Sequence, residues 1–556
     1  MQKDAARRAV WYFIAFFAAA ILGGAVSRAR GEDTPALPGI PSLTDLQSAG
    51  AVIGEIRIRN ENIFDMNDPK ENNFLYRTAN WLHIRTRASV IERQLLFKRG
   101  EPLSVRLIEE TERILRSNHY LYDVSITPVA YHDGVADLEV KTRDTWTLAP
   151  GVSFSRSGGA NSQSVDFKEY NLFGTGTYIG LARTSDADRS GTLFQIVNNN
   201  ALGTRSSVDF FNANYDDGHR RSVSLQHPFY ALDTRWAAGV SALQDDRIES
   251  AFRSGVIVGQ YRHKQDSREV FGGWSRGLVD GWTHRYSLGL IYQAEHYGID
   301  PALVPPTQLP FDQSLTSPFL RYEVIEDDYE KAKNRDLIGR PEYFAMGLQS
   351  RFQLGRSLPA LGSTRQLWSY SATVSDGFVI NKKDALLASM SLSGQYGYGR
   401  GENEFLGANA RYYRRQDERS LFYIGISGDI AQDPNKSDQL LLGGDNGLRG
   451  YPLRYQSGDK RVLLTVEERL YSDWYPFRLF RVGAAVFYDV GRAWGSQAST
   501  NPARNQGWLN DAGLGLRILS ARSAFGNTLH LDFAFPLNPD PSIKGVQFLV
   551  KTKTSF

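Results

Sequence analysis

Few residues in this chain could do chemistry, and most are disarmed by their neighbours. Gly273-Trp274-Ser275-Arg276-Gly277 spells the G-x-S-x-G of a nucleophile elbow. That turn needs a strand before the serine and a helix after it. Here Leu278-Val279-Asp280-Gly281 reads as a turn into another strand, so no enzyme is expected on this serine. The nine histidines contain no H-E-x-x-H pair, and His119, His132, His219, His227 and His530 fit turn, strand or interior positions better than metal ligation. Cysteine is absent, which excludes disulfides, thiolate metal sites and thiol catalysis. The run from Gly443 to Gly450 lacks the G-K-(S/T) ending of a phosphate loop, and no cofactor or metal is expected. What remains is a set of charges: Arg449 in that glycine run, Glu467 and Arg469 after it, and Asp489 further on.

The elements around these charges decide what they can do. Gly443-Gly444-Asp445-Asn446-Gly447-Leu448-Arg449-Gly450-Tyr451 is glycine-dense enough for a long loop that folds back tightly and brings its backbone against a wall. An arginine at its tip needs an anionic partner once it leaves bulk water. In the strand-like stretch that follows, Glu467 and Arg469 share a face opposite Val462, Leu464, Val466 and Leu470. Glu468, between them, would face the apolar side unless it sits at a membrane boundary. In the next stretch Val482, Ala484, Val486, Tyr488 and Val490 alternate with Ala485, Phe487, Asp489 and Gly491, so Asp489 points away from the apolar face. A loop arginine and a strand aspartate on the polar inside of a barrel make a sensible pair. Glu467 could hold the same arginine, or pair only with Arg469.

These residues also carry a resemblance. Leu448-Arg449-Gly450-Tyr451 resembles the (V/I/L)-R-G-(F/Y) motif of the outer-membrane assembly and translocation superfamily that includes BamA and TamA. Phe487-Tyr488-Asp489-Val490-Gly491 is similar to that family's F-x-D-x-G motif, and Glu467-Glu468-Arg469 to its E-x-R. The resemblance implies that Arg449 sits inside a barrel on a long loop and contacts Asp489. It also implies a barrel of about 16 strands.

Along the chain, Lys3, Arg7 and Arg8 precede an apolar run from Ala9 to Val26 and small residues near Ala29-Arg30-Gly31, so 1–31 reads as a signal peptide. Formal charge is +3, and without that leader the balance is 59 basic to 60 acidic residues, which recommends no nucleic-acid partner. Residues 32–50 read as a linker. Residues 51–144 read as a small α+β unit: a strand over Val52 to Ile58, a helix over Ser89 to Phe97, a second helix capped by Ser104, and strands Val124 to Ala130 and Val135 to Lys141 joined at Tyr131-His132-Asp133-Gly134. That order, with Phe97-Lys98-Arg99-Gly100-Glu101-Pro102-Leu103-Ser104 and Leu121-Tyr122-Asp123-Val124, resembles a single POTRA domain, relative to which 65–83 is an insertion.

Residues 145–556 read as an antiparallel transmembrane β-barrel. Leu529, Leu531, Phe533, Phe535 and Leu537 alternate with polar or small residues, as do Phe422, Ile424, Ile426 and Ile430. Such strands expose an apolar face on a soluble sheet but suit lipid outside and water within. A mean hydropathy of −0.38 opposes a helical bundle and not a barrel. Turn signals recur at Asn171 to Gly176, Asn200 to Arg205 and His227 to Tyr230; counting segments gives nearly 20 strands, and 16, 18 and 20 all permit closure. Phe556, with Phe548 and Val550 on the same outward face, looks like the C-terminal sorting signal of outer-membrane barrels.

The expectation is therefore a Gram-negative outer-membrane factor with its POTRA domain in the periplasm. The resemblance implies that it inserts or exports unfolded client proteins, with outer-membrane lipids and accessory periplasmic proteins as further partners. The alternative is a passive solute or lipid-conducting channel on the same barrel.

Overall fold

A computed structural model describes residues 40–253, 255–434, 438–495, 505–524 and 526–553; the leader read at 1–31 and the terminal Phe556 lie outside them. Part of the stretch read as linker is ordered otherwise. Leu43–Ser48 is a helix, α1, started by a capping box in which Ser42 and Asp45 satisfy each other's backbone. It buries Leu46 in the core of the N-terminal unit.

That unit holds β1 (Val52–Glu61), α2 (Phe74–Leu82), α3 (Ala88–Glu92), α4 (Val105–Arg116), β2 (Leu121–His132) and β3 (Val135–Asp144). The sheet order is β1-β3-β2, with β1 parallel and β2 antiparallel to β3. Asp133 and Gly134 both take positive φ, as a tight two-residue hairpin requires. α4 presents Ile108 and Leu115 to Ile53, Val124, Leu138 and Val140. The helix read over Ser89 to Phe97, α3, is shorter than its periodicity suggests. It stops at Glu92 because Leu95 and Phe97 both enter the core, a spacing that extended chain meets and a helix does not.

Beyond Thr147, twenty strands form one closed antiparallel barrel, from Leu148–Ser157 to Gln547–Lys553. The count matches the reading from segments and replaces the 16 that the family resemblance implied. Side chains alternate as the period-two pattern requires. On Leu509–Ser520, Asp511 and Arg517 are buried inward while Leu514 and Leu516 are exposed outward. Near the mouth where Leu148 begins, Trp236, Trp274, Tyr286, Tyr322 and Phe352 lie opposite one another on successive strands. Aromatic rows of this kind mark the level of a membrane interface.

The N-terminal unit caps that same mouth. Glu71 receives Arg522 at 2.6 Å, Glu110 accepts from Leu232 N–H at 2.8 Å, Arg113 meets Asp327 at 3.3 Å, and Arg205 donates to Leu95 O at 2.6 Å. Burial raises the Glu110 carboxyl above its ordinary range, against the lowering by Leu232 N–H and Arg106.

Closure is thin where the first and last strands meet. Among the described residues their register is a single pairing, Val550 opposite Arg156, whereas the last strand pairs with its other neighbour from Thr528↔Lys553 to Ala534↔Gln547. At the capped mouth Trp146 bonds past the last strand, its N–H to Arg522 O at 2.7 Å and its carbonyl to Ala524 N–H at 2.9 Å.

Candidate functional site

The long loop enters the barrel from the open mouth. Leu440–Leu442 and Gln456–Gly458 pair as its stem inside the lumen. Above the stem, Gly443 N–H bonds Asn446 Oδ1 at 2.7 Å, Asn446 Nδ2 bonds Leu441 O at 2.7 Å, and Leu448 N–H bonds Gly443 O at 3.1 Å. This tight winding aims Leu448 into an apolar cluster with Leu442, Tyr451, Tyr455, Ala493, Leu509 and Ile543. Gly450 lies against the wall: its N–H bonds Asp511 Oδ2 at 2.9 Å, and an added Cβ would stand 2.6 Å from Asp511 Cβ and 3.0 Å from Pro536 N. Gly450→Val is therefore expected to push the loop tip off the wall at a cost of ~1–3 kcal/mol. Faster protease cleavage within 440–458 of the folded barrel is the readout.

Arg449, turned the other way, is 7% exposed and fully partnered. Its Nε and Nη2 grip Asp489 Oδ2 and Oδ1 at 2.6 and 2.8 Å, and its Nη1 reaches Glu467 Oε1 at 2.9 Å. Thr465 Oγ1 orients Asp489 at 2.8 Å, and Phe487 lies under the guanidinium with its centroid at 3.4 Å. A bidentate fork over an aromatic face is a geometry that arginine satisfies and lysine does not. Gly491 meets Val462 O and Leu442 where a Cβ would stand, so the stem packs directly on this strand.

The charges continue away from the loop. Glu467 Oε2 accepts Arg469 Nε at 3.0 Å, so the glutamate bridges two arginines. Arg469 Nη1 then donates to Arg335 O at 2.7 Å and lies over the Tyr423 ring. Arg335 belongs to a second inward element, the hairpin Tyr329–Lys333 with Pro341–Ala345, which enters the lumen from the capped mouth. It packs Ile338, Phe344 and Met346 against Leu387, Tyr413 and Leu519 of the wall. The hairpin also touches the N-terminal unit, Tyr343 Oη donating to Glu112 at 3.1 Å and Arg340 to Leu121 O at 3.0 Å. Glu468 lies three residues from the strand end at the capped mouth and accepts from Gln416 Nε2 at 3.2 Å, a place at the membrane boundary.

The loop also spans the weak closure. Gly444 O accepts Lys551 Nζ from the last strand at 2.7 Å and the hydroxyl of Ser157 from the first. Leu453 N–H bonds Gly158 O at 2.8 Å, and a Cβ on Gly444 would stand 2.5 Å from Gly158. Gly443 is as confined, by Pro452 O at 2.2 Å from its virtual Cβ. Phe548 and Val550 lie elsewhere, on the outer wall, with the Phe548 ring 5.0 Å from Phe533.

Several contributors were not singled out from sequence: Asp511, Asp532, Arg517, Lys551, Ser157 and Arg335. Asp532 stands 3.9 Å from Arg449 and 2.5 Å from Arg517. The inward parity of Asp511, Arg517 and Asp532 on alternating strands was a usable signal; nothing local marks Ser157 or Arg335. Ser275 of the G-x-S-x-G match lies buried on Val256–Val279, its Oγ accepting from Gly277 N–H at 2.9 Å, and the chain passes through a turn into the strand Trp282–Gly298. Among the described residues no three His, Asp or Glu side chains gather as a metal site.

A closed barrel with an apolar, aromatic-banded exterior and a charged loop folded inward is an outer-membrane β-barrel. Residues 343–552 match the family model described as the Omp85 superfamily domain. The matched stretch contains Leu448-Arg449-Gly450-Tyr451, Glu467-Glu468-Arg469 and Phe487-Tyr488-Asp489-Val490-Gly491, the motifs that carried the resemblance. Among solved structures, CdiB from Escherichia coli is 14% identical over 91% of this chain and 77% of its own, with a TM-score of 0.47. CdiB from Acinetobacter baumannii is 14% identical over 90% and 74%, TM-score 0.45. BamA from Haemophilus ducreyi lacking POTRA domains 1-3 is 13% identical over 90% and 85%, TM-score 0.36. No curated protein sequence matches.

Proposed function

We propose that this protein inserts or translocates client proteins at the outer membrane through the junction of its first and last barrel strands. The N-terminal unit, 51–144, is read as a periplasmic POTRA domain. The observation that carries the proposal is the thin closure held by the loop: one strand pairing beside a Gly444 carbonyl shared by Lys551 and Ser157. Unpaired strand edges in a membrane are costly, and an incoming client strand satisfies them without nucleotide. Two inward elements occupy the lumen, which favours this reading over an open solute channel.

Contacts run from Glu112 to the 329–345 hairpin, through Arg469, Glu467 and Arg449, to the loop at the junction. This chain gives a client on the N-terminal unit a route to the junction. The outer edge of β2 is a poor place for that client, because Glu112 caps Ile126 N–H and Pro128 offers no donor. The start of β1 is covered as well, Ile53 N–H bonding Glu101 O and its carbonyl accepting from Gly100 N–H, so strand addition is assigned to the later residues of β1. Arg469→Ala is expected to uncouple the two ends, costing ~3 kcal/mol for the buried pair. Binding of an unfolded barrel protein should persist while its insertion fails; unimpaired insertion would remove the route.

Depletion followed by an outer-membrane proteome tests the function itself. Loss of particular barrels or surface proteins is expected. An unchanged proteome with altered solute or lipid permeability would instead support the channel.

A further inference from the structure

We infer that helix α2, Phe74–Leu82, is a membrane-surface anchor that seats its outer face in the phospholipid leaflet on the side of the N-terminal unit. At 3.6 residues per turn, Phe74, Leu75, Thr78, Trp81 and Leu82 fall within an arc of roughly 120°. Phe74 is 77% and Trp81 81% exposed, and Ile84 just beyond the helix is also exposed. No described residue covers this face. The opposite face fixes the orientation. Tyr76 stacks on Phe64 at 4.2 Å, and the Asn80 side chain bonds Phe64 N–H and O at 3.1 and 2.8 Å.

Turns of the barrel's capped mouth flank the helix. On one side the Tyr76 hydroxyl donates to Phe477 O, in the turn that also exposes Trp474. On the other, Arg87 Nε donates to Phe173 O at 3.1 Å, and Phe173 exposes its ring in the first turn of that mouth. The helix therefore lies among turns carrying outward aromatics, at the end of the barrel where the aromatic row marks the interface. Charge agrees with a phospholipid surface. Arg77 and Arg85 are exposed beside the apolar arc, whereas the nearby acids are engaged, Glu71 by Arg522 at 2.6 Å and Asp68 by Arg478 at 3.8 Å. Apolar face, interfacial tryptophan and flanking arginines together are what a surface-lying helix needs. Arg522 and Trp146 tie the same segment to the base of the strand junction, so the anchor holds lipid and junction in one body.

The inference rests on the barrel spanning a bilayer and on no particular client. The test uses the full chain in phosphatidylethanolamine–phosphatidylglycerol vesicles. Because the protein lacks cysteine, Leu82→Cys, Val486→Cys on the outer barrel wall and Arg99→Cys on the N-terminal unit each place one polarity-sensitive fluorophore. Nitroxide-bearing lipid should quench the Leu82 label at least about threefold more than the Arg99 label, with aqueous iodide giving the reverse order. The pair Phe74→Ser and Trp81→Ser, both at exposed positions, should abolish that lipid quenching in a barrel that still inserts. A Leu82 label quenched by iodide alone, or shielded from both agents by protein, overturns the anchor while a lipid-quenched Val486 label preserves the barrel. Lack of lipid quenching at both positions overturns the two together.

Discussion

Arg449→Ala is expected to abolish activity while the barrel still folds and inserts. The wall does not depend on this side chain, since its strands are joined by backbone ladders on both sides of the 460–471 strand. The loop does. Removing the guanidinium takes the bidentate partner from fully buried Asp489, while Glu467 keeps Arg469 and Asp532 keeps Arg517. Removing one partner of a buried pair costs ~3–5 kcal/mol, enough to lower occupancy of the inward loop by roughly two to three and a half orders of magnitude. Arg449→Lys should rescue little, because a point charge cannot serve Asp489 bidentately and Glu467 at once. Asp489→Ala should impair activity in the same direction, less severely, since Glu467 still holds Nη1. Heat-modifiable gel mobility checks that the barrel has folded, and protease sensitivity of 440–458 reports the loop. Full client assembly by both alanine variants would remove the clamp from the mechanism.

Legibility in the sequence followed how local each signal was. Strand parity depends on adjacent residues, so the inward positions of Glu467, Arg469 and Asp489 could be read directly, as could outward Val486 and Phe548. Turn chemistry was equally local: Asp133-Gly134 and Asn171 to Gly176 fall where the chain reverses. Longer-range features were harder. The α3 helix ends early because the core demands Leu95 and Phe97 together, which helical periodicity over Ser89 to Phe97 does not reveal. Residues 43–48 resemble linker by composition, yet Ser42 and Asp45 cap a helix whose Leu46 finds its partners in α4 and the sheet. Nothing local in the 329–345 hairpin sends it inward; its apolar partners inside the lumen do. Ser157 matters because Gly444, 287 positions away, lies beside it. No local pattern encodes that meeting.

A covalent lock across the junction should have the second large effect and separates assembly from conduction. Val550 and Arg156 are register partners on the first and last strands, so their Cα atoms lie opposite one another as a disulfide requires. The protein has no cysteine of its own, so Arg156→Cys with Val550→Cys yields one possible intramolecular bridge. Thermal opening must break the pairing at that position and the bonds that Lys551 and Ser157 make to Gly444. Neutral or singly charged hydrogen bonds of this sort contribute only ~0.5–3 kcal/mol each, within reach of displacement by a client strand, whereas a disulfide is not. Oxidation should therefore stop client insertion completely, and reduction should restore it in the same vesicles. Ion conductance across the lumen should stay unchanged, since the bridge lies in the wall and the inward loop and hairpin remain where they are. If the oxidised protein assembled clients at the reduced rate, the junction would not be the exit, and the lumen itself would have to be the path.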